Sequence, residues 1–381
     1  ARTRATFYRR AAAVDHGMRA LHVGIGVLAG VTGGPATYGR RLVAALAALG
    51  EQLQVTVLTD RPDAFAGLGC GLVHLPMRGG IDRLRWQYRA LPRALVRLRP
   101  DVYHDTKNAL PRGLPLAAVV TVHDLAYHTV PETFGWLSRT FLRRATAAAV
   151  RRARIVVVPS QATATDLARI HPFAAPKLQV VPHGIDPAPV VAPAALAEAR
   201  ARLQLPECYV LHVGTIQARK NVDLVVQGVR LLRQKGLDCR AVVVGRLGWR
   251  AAAAQAELRR DDTARWLGEV GSADLAAIYA GATALVSPSA YEGFGFAVGD
   301  ALAAGVPTVI SDISSLPEVC GDAAVRLPEL SAAAVAAALE PLLRDPARRQ
   351  ELGARGRARA AQFSWAAAAK GHLRAYRRAL G

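Results

Sequence analysis

Ser287-Pro-Ser-Ala-Tyr-Glu292-Gly-Phe-Gly-Phe-Ala-Val-Gly-Asp300-Ala-Leu-Ala-Ala-Gly305-Val-Pro307 is the stretch on which the fold turns. A β-rich run at 284–287 feeds a glycine loop, then a short Ala-rich helix, then a Gly-Val-Pro stop. Glu292 stands in the loop among glycines, where a carboxylate can reach a sugar hydroxyl, and Asp300 follows about two helical turns later. A charge on an Ala-rich face is costly unless a ligand or partner holds it. The competing reading is a capping Glu followed by an exposed Asp.

Outward from this stretch the same unit repeats. Strand-like runs at 20–27, 55–58, 72–74, 102–104, 117–122, 155–158 and 178–181 alternate with helical segments. A second series follows at 209–213, 240–244, 264–266, 284–287 and 308–310, beyond the Pro-rich stretch 187–193. Alternation of this kind predicts an α/β chain with two doubly wound parallel sheets, and open sheets of that type take ligands outside the carboxyl ends of their strands. The expected organisation is an extension at 1–17 ahead of Met18, one domain at 18–188, a second at 189–363, and a helix at 364–381 carrying Leu373, Tyr376 and Leu380, with the site in the cleft between the domains.

Composition bounds the function. The chain has 381 residues, 51% hydrophobic and 20% charged, which excludes a disordered chain. A net charge of +20 suggests polyanionic partners. Only five basic residues are Lys (107, 177, 220, 235 and 370), so much of the excess reads as an arginine-rich coding background. Residues 1–190 carry 25 basic and 11 acidic side chains against 24 and 18 in the remainder, placing most of the excess in the first half. Cys70, Cys208, Cys239 and Cys320 lack metal-site or disulfide spacing, which fits a reducing cytoplasm. No run is apolar enough to span a bilayer.

Three further segments carry chemistry. Gly30-Val-Thr-Gly-Gly-Pro35 lies between a strand and a helix whose free N–H groups suit a phosphate or sugar; a plain tight turn accounts for it as well. His123-Asp124 follows a strand end, where His123 can donate to a hydroxyl or to developing charge, or simply make a structural hydrogen bond. Gly214-Thr-Ile-Gln-Ala-Arg219-Lys220-Asn221 follows another strand, with Asn221 as a helix cap. Arg219 and Lys220 there suit a diphosphate, one as a planar fork and one as a point charge; the alternative is a solvated pair.

Taken together, these motifs resemble a retaining glycosyltransferase of family four, with the GT-B fold. The resemblance also rests on Pro159-Ser160, Pro182-His183-Gly184-Ile185-Asp186 and Gly268-Glu269-Val270, and it covers nearly everything from Met18 to Gly381. Ser314-Ser-Leu-Pro-Glu318-Val with Gly321-Asp-Ala-Ala324 resembles the bacterial mannosyltransferase-like branch that builds surface polysaccharides. The resemblance implies Arg219 and Lys220 on the donor diphosphate, Gly268 to Val270 on the nucleobase, and Glu292 with Gly293, Phe294 and Gly295 at the donor sugar. It also implies His123 beside the transferred sugar and Gly33 and Gly34 facing donor phosphate and acceptor. Where the family carries a second Glu on the donor ribose this chain has Asp300, one methylene shorter, which bears on donor affinity.

Cleaving a nucleotide sugar leaves negative charge on phosphate and positive character on the sugar. Arg219, Lys220 and the helix N-terminus near Asn221 answer the first without a metal, and no cofactor beyond the nucleotide sugar, GDP-mannose in this branch, is implied. Retention in the family proceeds by front-face attack. Arginines and aromatics interleave from Arg83, Arg85, Trp86, Tyr88 and Arg89 to Arg99, and a second basic run spans 139–154. Either a core-facing amphipathic helix or an anionic inner-membrane surface with a glycan or lipid-linked acceptor explains them. The alternatives are a catalytically idle GT-B scaffold subunit and a nucleic-acid-binding protein; no zinc finger, RNP-like motif or helix-turn-helix supports the latter.

Overall fold

The computed structural model describes residues 6–8, 20–28, 34–77 and 86–381. Strands that are apolar on both faces need helices on both sides, and the Val-, Ile- and Leu-rich runs build two such sheets. The first comprises β1 (Thr6–Tyr8), β2 (Leu21–Val27), β3 (Leu53–Thr59), β4 (Gly71–His74), β5 (Val102–Asp105), β6 (Ala117–Thr121), β7 (Ile155–Val158) and β8 (Leu178–Val180). Its order is β1-β4-β3-β2-β5-β6-β7-β8. All pairings in it are parallel except β1 with β4.

The second comprises β9 (Tyr209–Val213), β10 (Arg240–Val244), β11 (Ala264–Gly268), β12 (Ala284–Ser287), β13 (Thr308–Ser311) and β14 (Ala324–Leu327). It is wholly parallel, in the order β11-β10-β9-β12-β13-β14. Every strand expected from the sequence is present, with ends shifted by two residues at most. β1 and β14 are not among the expected strands. No helix among the described residues is long and apolar enough to cross a membrane.

By its contacts the chain divides into two compact units. Unit 1 holds residues 1–125, 140–184 and 364–381, and unit 2 holds 126–139 and 185–363. In unit 2, β9 shows the period-two rule directly: Val210 joins a core with Val226, Val229, Val243 and Leu339, while Tyr209 and Leu211 join another with Val242, Leu285, Leu302 and Ile310. Leu42, Leu46, Val57, Leu95 and Val119 are fully buried in unit 1. Ser160, Ser331, Asp345 and Ser364 cap the helices Gln161–Ile170, Ala332–Arg344, Pro346–Ala360 and Trp365–Leu380 through their side-chain oxygens.

Both sheets reverse direction beside their first parallel strand, between β2 and β5 and between β9 and β12. Such switch points open a crevice because the loops on either side wind away to opposite faces. The loops that follow β9 and β12 carry Arg219-Lys220 and Glu292.

Candidate active site

In unit 2 the two loops close on one another. Asn221 donates from its side-chain amide to the carbonyl of Pro288 at 2.8 Å, and the backbone N–H of Ala290 donates to the carbonyl of Arg219 at 2.8 Å. Asn221 therefore ties the β9 loop to the β12 loop rather than capping with its side chain the helix Val222–Gln234, which it precedes in left-handed conformation. Gly245 follows β10 at φ +136°, and a Cβ there would lie 2.0 Å from the carbonyl oxygen of Gly214, so only glycine lets the two strand ends approach.

This closure brings Arg219, Lys220 and Glu292 together. A guanidinium nitrogen of Arg219 lies 3.3 Å from Glu292 Oε2 and donates to the carbonyl of Tyr291 at 2.6 Å, while Lys220 Nζ pairs with Glu292 Oε1. The Ser289 hydroxyl donates to the same Oε1 at 2.8 Å. Glu292 is held at both backbone groups as well: its N–H donates to Ser314 Oγ at 2.8 Å and its carbonyl accepts from Ser315 Oγ at 2.9 Å. Ser314 adopts φ +56°, unusual for a residue with a Cβ.

Burial pushes the Glu292 carboxyl upward, but Lys220, Arg219 and Ser289 more than offset it and bring the pKa to about 2. The group is a carboxylate at neutral pH. Beneath it His212, 1% exposed, donates from Nδ1 to the carbonyl of Val286 at 3.0 Å. Burial and the nearby Lys220 lower its pKa to about 4.

Other expected donor residues fall around this centre. Gly268 ends β11 at φ +68° and accepts from the Gly245 N–H at 2.7 Å; Val270 packs half-buried against the core. Gly293 is buried, and Phe294 turns its ring inward against Phe296 and Phe363, leaving backbone rather than ring for a ligand. Gly295 (φ +92°) begins the helix Phe296–Ala304, on which Asp300 is half-buried. Burial together with Asp300 holds the Tyr279 phenol well above its ordinary range.

Unit 1 holds the remaining expectations. Gly34 starts the helix Gly34–Ala47, with Pro35 in its first turn; Gly33 lies outside the described residues, as do Arg83 and Arg85. His123 follows β6 and uses both ring nitrogens within the unit: Nε2 lies 2.8 Å from the carbonyl of Thr106, and Nδ1 lies 3.3 Å from His183 Nε2. Burial lowers its pKa, the Thr106 bond and Asp124 oppose this, and Lys107 adds to it. Beside the pair runs a buried series of which the sequence reading named only Tyr376, as a helix-face residue: Tyr38, Thr121, His104, Tyr376 and His372. The only sequence signals for it are the i, i+4 spacing of His372 and Tyr376 and a lone His in β5.

A doubly wound unit that presents two cations and a carboxylate at its switch point, in a chain with a second doubly wound sheet, has the architecture of the GT-B glycosyltransferases. Two family patterns match, Glycosyltransferase Family 4 over residues 32–189 and Glycosyl transferases group 1 over residues 197–359. The O-antigen chain mannosyltransferase B of Escherichia coli is 30% identical over 280 residues, covering 71% of this chain and 73% of that one. The chain belongs to glycosyltransferase family 4. D-inositol 3-phosphate glycosyltransferase of Kineococcus radiotolerans is 35% identical over 54% of this chain, which spans about half (52%) of that relative's length. Among solved structures, the sucrose-phosphate synthase of Thermosynechococcus elongatus superposes with TM-score 0.74 at 22% identity, over 94% of this chain and 98% of that one. HepE of Anabaena in complex with UDP-glucose gives 0.75 at 17% identity, over 93% and 98%.

Proposed function

We propose that the protein is a retaining, metal-independent mannosyltransferase that moves a hexosyl group from GDP-mannose to a glycan or lipid-linked acceptor in cell-surface polysaccharide synthesis, at the cytoplasmic face of the membrane. The observation that carries the donor reading is the Arg219–Lys220–Glu292 cluster. The single Glu292 carboxylate pairs with both cations and leaves the cluster with one net positive charge, for which a diphosphate is the complement. Arg219 and Lys220 then stabilise the departing nucleotide diphosphate, while Glu292, released in part, turns to the sugar hydroxyls. Gly268 and Val270 offer backbone to the base, Gly293 to Gly295 to the sugar, Gly33 and Gly34 to phosphate and acceptor, and Asp300 to the ribose through its shorter arm.

In front-face transfer the acceptor oxygen bonds to the anomeric carbon as the anomeric C–O bond to phosphate breaks, and the acceptor proton passes to the departing phosphate. His123 is assigned to the transferred sugar. The choice of mannose follows from the Escherichia coli relative. The membrane reading is supported by the helix Trp136–Arg152, which has no acidic residue, exposes Trp136, Leu137 and Phe141, and ends in Arg151 and Arg152.

A thermal-shift panel of GDP-, UDP-, ADP- and dTDP-sugars tests the donor. GDP-mannose is expected to raise Tm most, because a ligand that binds only the folded chain stabilises it by mass action. No shift with any member would defeat the transferase reading. Flotation with anionic and neutral liposomes tests the membrane reading, and equal recovery on both would defeat its electrostatic basis.

A further inference from the structure

The buried polar groups of unit 1 can be given directions from two fixed points. Nδ1 of His372 lies 2.8 Å from the carbonyl of Ala368, which can only accept, so Nδ1 carries the proton and Nε2 is bare. The Tyr38 hydroxyl therefore donates to His372 Nε2 at 2.8 Å and accepts from the Thr121 hydroxyl at 2.9 Å. Thr121, its proton committed, accepts from His104 Nε2 at 2.8 Å, which leaves His104 Nδ1 to accept from the Tyr376 hydroxyl at 2.8 Å. Burial holds His372 at about 4 and His104 well below the usual imidazole range, so neither takes a second proton at neutral pH and the series runs one way.

That series anchors Tyr38 by its hydroxyl, and the Tyr38 ring meets both His123, edge-on at 4.7 Å, and His183, at 4.5 Å. Here the second fixed point applies. His123 Nε2 faces the Thr106 carbonyl and must carry a proton; burial favours the neutral ring, so its Nδ1 is an acceptor and His183 Nε2 supplies the N–H at 3.3 Å. His183 is 2% exposed and its ring lies nearly parallel to that of Trp365, 13° apart.

We propose that His183 is a positioning residue that locks His123 as the neutral Nε2–H tautomer, so that His123 enters the reaction as an uncharged ring and not as a proton donor. The inference rests on the assignment of His123 to the transferred sugar. Its chemical sense is direct: a sugar losing its leaving group gains positive character, and an imidazolium beside it would raise the barrier. A His183 N–H aimed at Nδ1 excludes the second proton, since two donors cannot share one bond. The other titratable or charged groups facing the pair are Lys107, Asp124, Tyr38, His104 and His372.

Two-bond 1H–15N correlation spectra of histidine-labelled full chain, with His123 identified by its loss in His123→Gln, read the tautomer without any sugar present. The expected result at pH 7 is His123 protonated at Nε2 alone. In His183→Leu the His123 pKa should rise above its wild-type value, burial still holding it below the ordinary imidazole range, and kcat should gain an acidic limb there. His183→Gln, which restores an N–H at similar reach, should abolish both changes. A wild-type His123 protonated at Nδ1, or at both nitrogens, overturns the proposal, and that spectrum suffices if His183→Leu does not fold. Unchanged His123 titration in a folded His183→Leu overturns it as well. Failure of every nucleotide sugar to turn over would instead overturn the transferase reading, and the spectrum would still decide the tautomer.

Discussion

Lys220 illustrates how one residue's role depends on its neighbours. Alone in the sequence, Arg219-Lys220 reads as either a phosphate clamp or a solvated pair; the structure has both side chains largely shielded from solvent and spanned by Glu292. Arg219→Ala and Lys220→Ala should each raise the donor KM roughly tenfold or more, the factor expected for losing a charge-assisted hydrogen bond, and each should also lower Tm because the buried Glu292 carboxylate loses a partner. Donor titration of kcat beside a melt separates the two effects. The Glu292 carboxyl, held at about 2, adds a pH signature. A depressed carboxylate stabilises the fold above its unfolded value and loses that contribution as pH falls through the folded one. Glu292→Gln should therefore flatten the decline of urea stability between about pH 4.5 and 2. Ser289, Ser314 and Ser315, which fix Glu292 in place, are not legible in the sequence, because a serine's partner is set by a loop return and not by spacing.

At the scale of elements, strands buried on both faces announce themselves as apolar runs, and this is why the strands from β2 to β13 could be located along the chain. β14 escapes because Ala324-Val-Arg-Leu327 is short, at a sheet edge, and carries an exposed Arg326. β1 escapes because three residues between arginines show no period. Close approach of backbones is equally hidden until strands are paired. Gly245→Ala places a methyl 2.0 Å from the Gly214 carbonyl, so the β9 and β10 ends must part. The expected cost is about 1–3 kcal/mol in urea unfolding, accompanied by weaker donor binding because the β9 loop carries Arg219. A neutral effect on both would refute the account of that junction.

For the whole molecule, the total charge of +20 is the least informative number and its pairing the most. In unit 2 arginines meet acids, as in Arg230 with Glu257 and Asp261, and Arg233 and Arg240 with Asp262. Histidines divide the molecule differently. Burial depresses His104, His183 and His372 in unit 1 and His212 in unit 2. A base whose pKa falls on folding stabilises the fold above its unfolded value of about 6.5 and loses that contribution as pH drops toward the folded value. Acid should therefore weaken unit 1 first, between about pH 6.5 and 4. Calorimetry should show the transition assigned by His372→Gln moving down in this window more than the one assigned by His212→Gln; equal shifts would contradict the partition.

Isothermal titration of GDP-mannose in buffer containing a chelator tests the central claim most directly. The account predicts saturable binding by the native chain without any divalent ion and none detectable for the Arg219→Ala, Lys220→Ala double variant. Binding that appears only on adding a divalent ion, or that survives in the double variant, would contradict it.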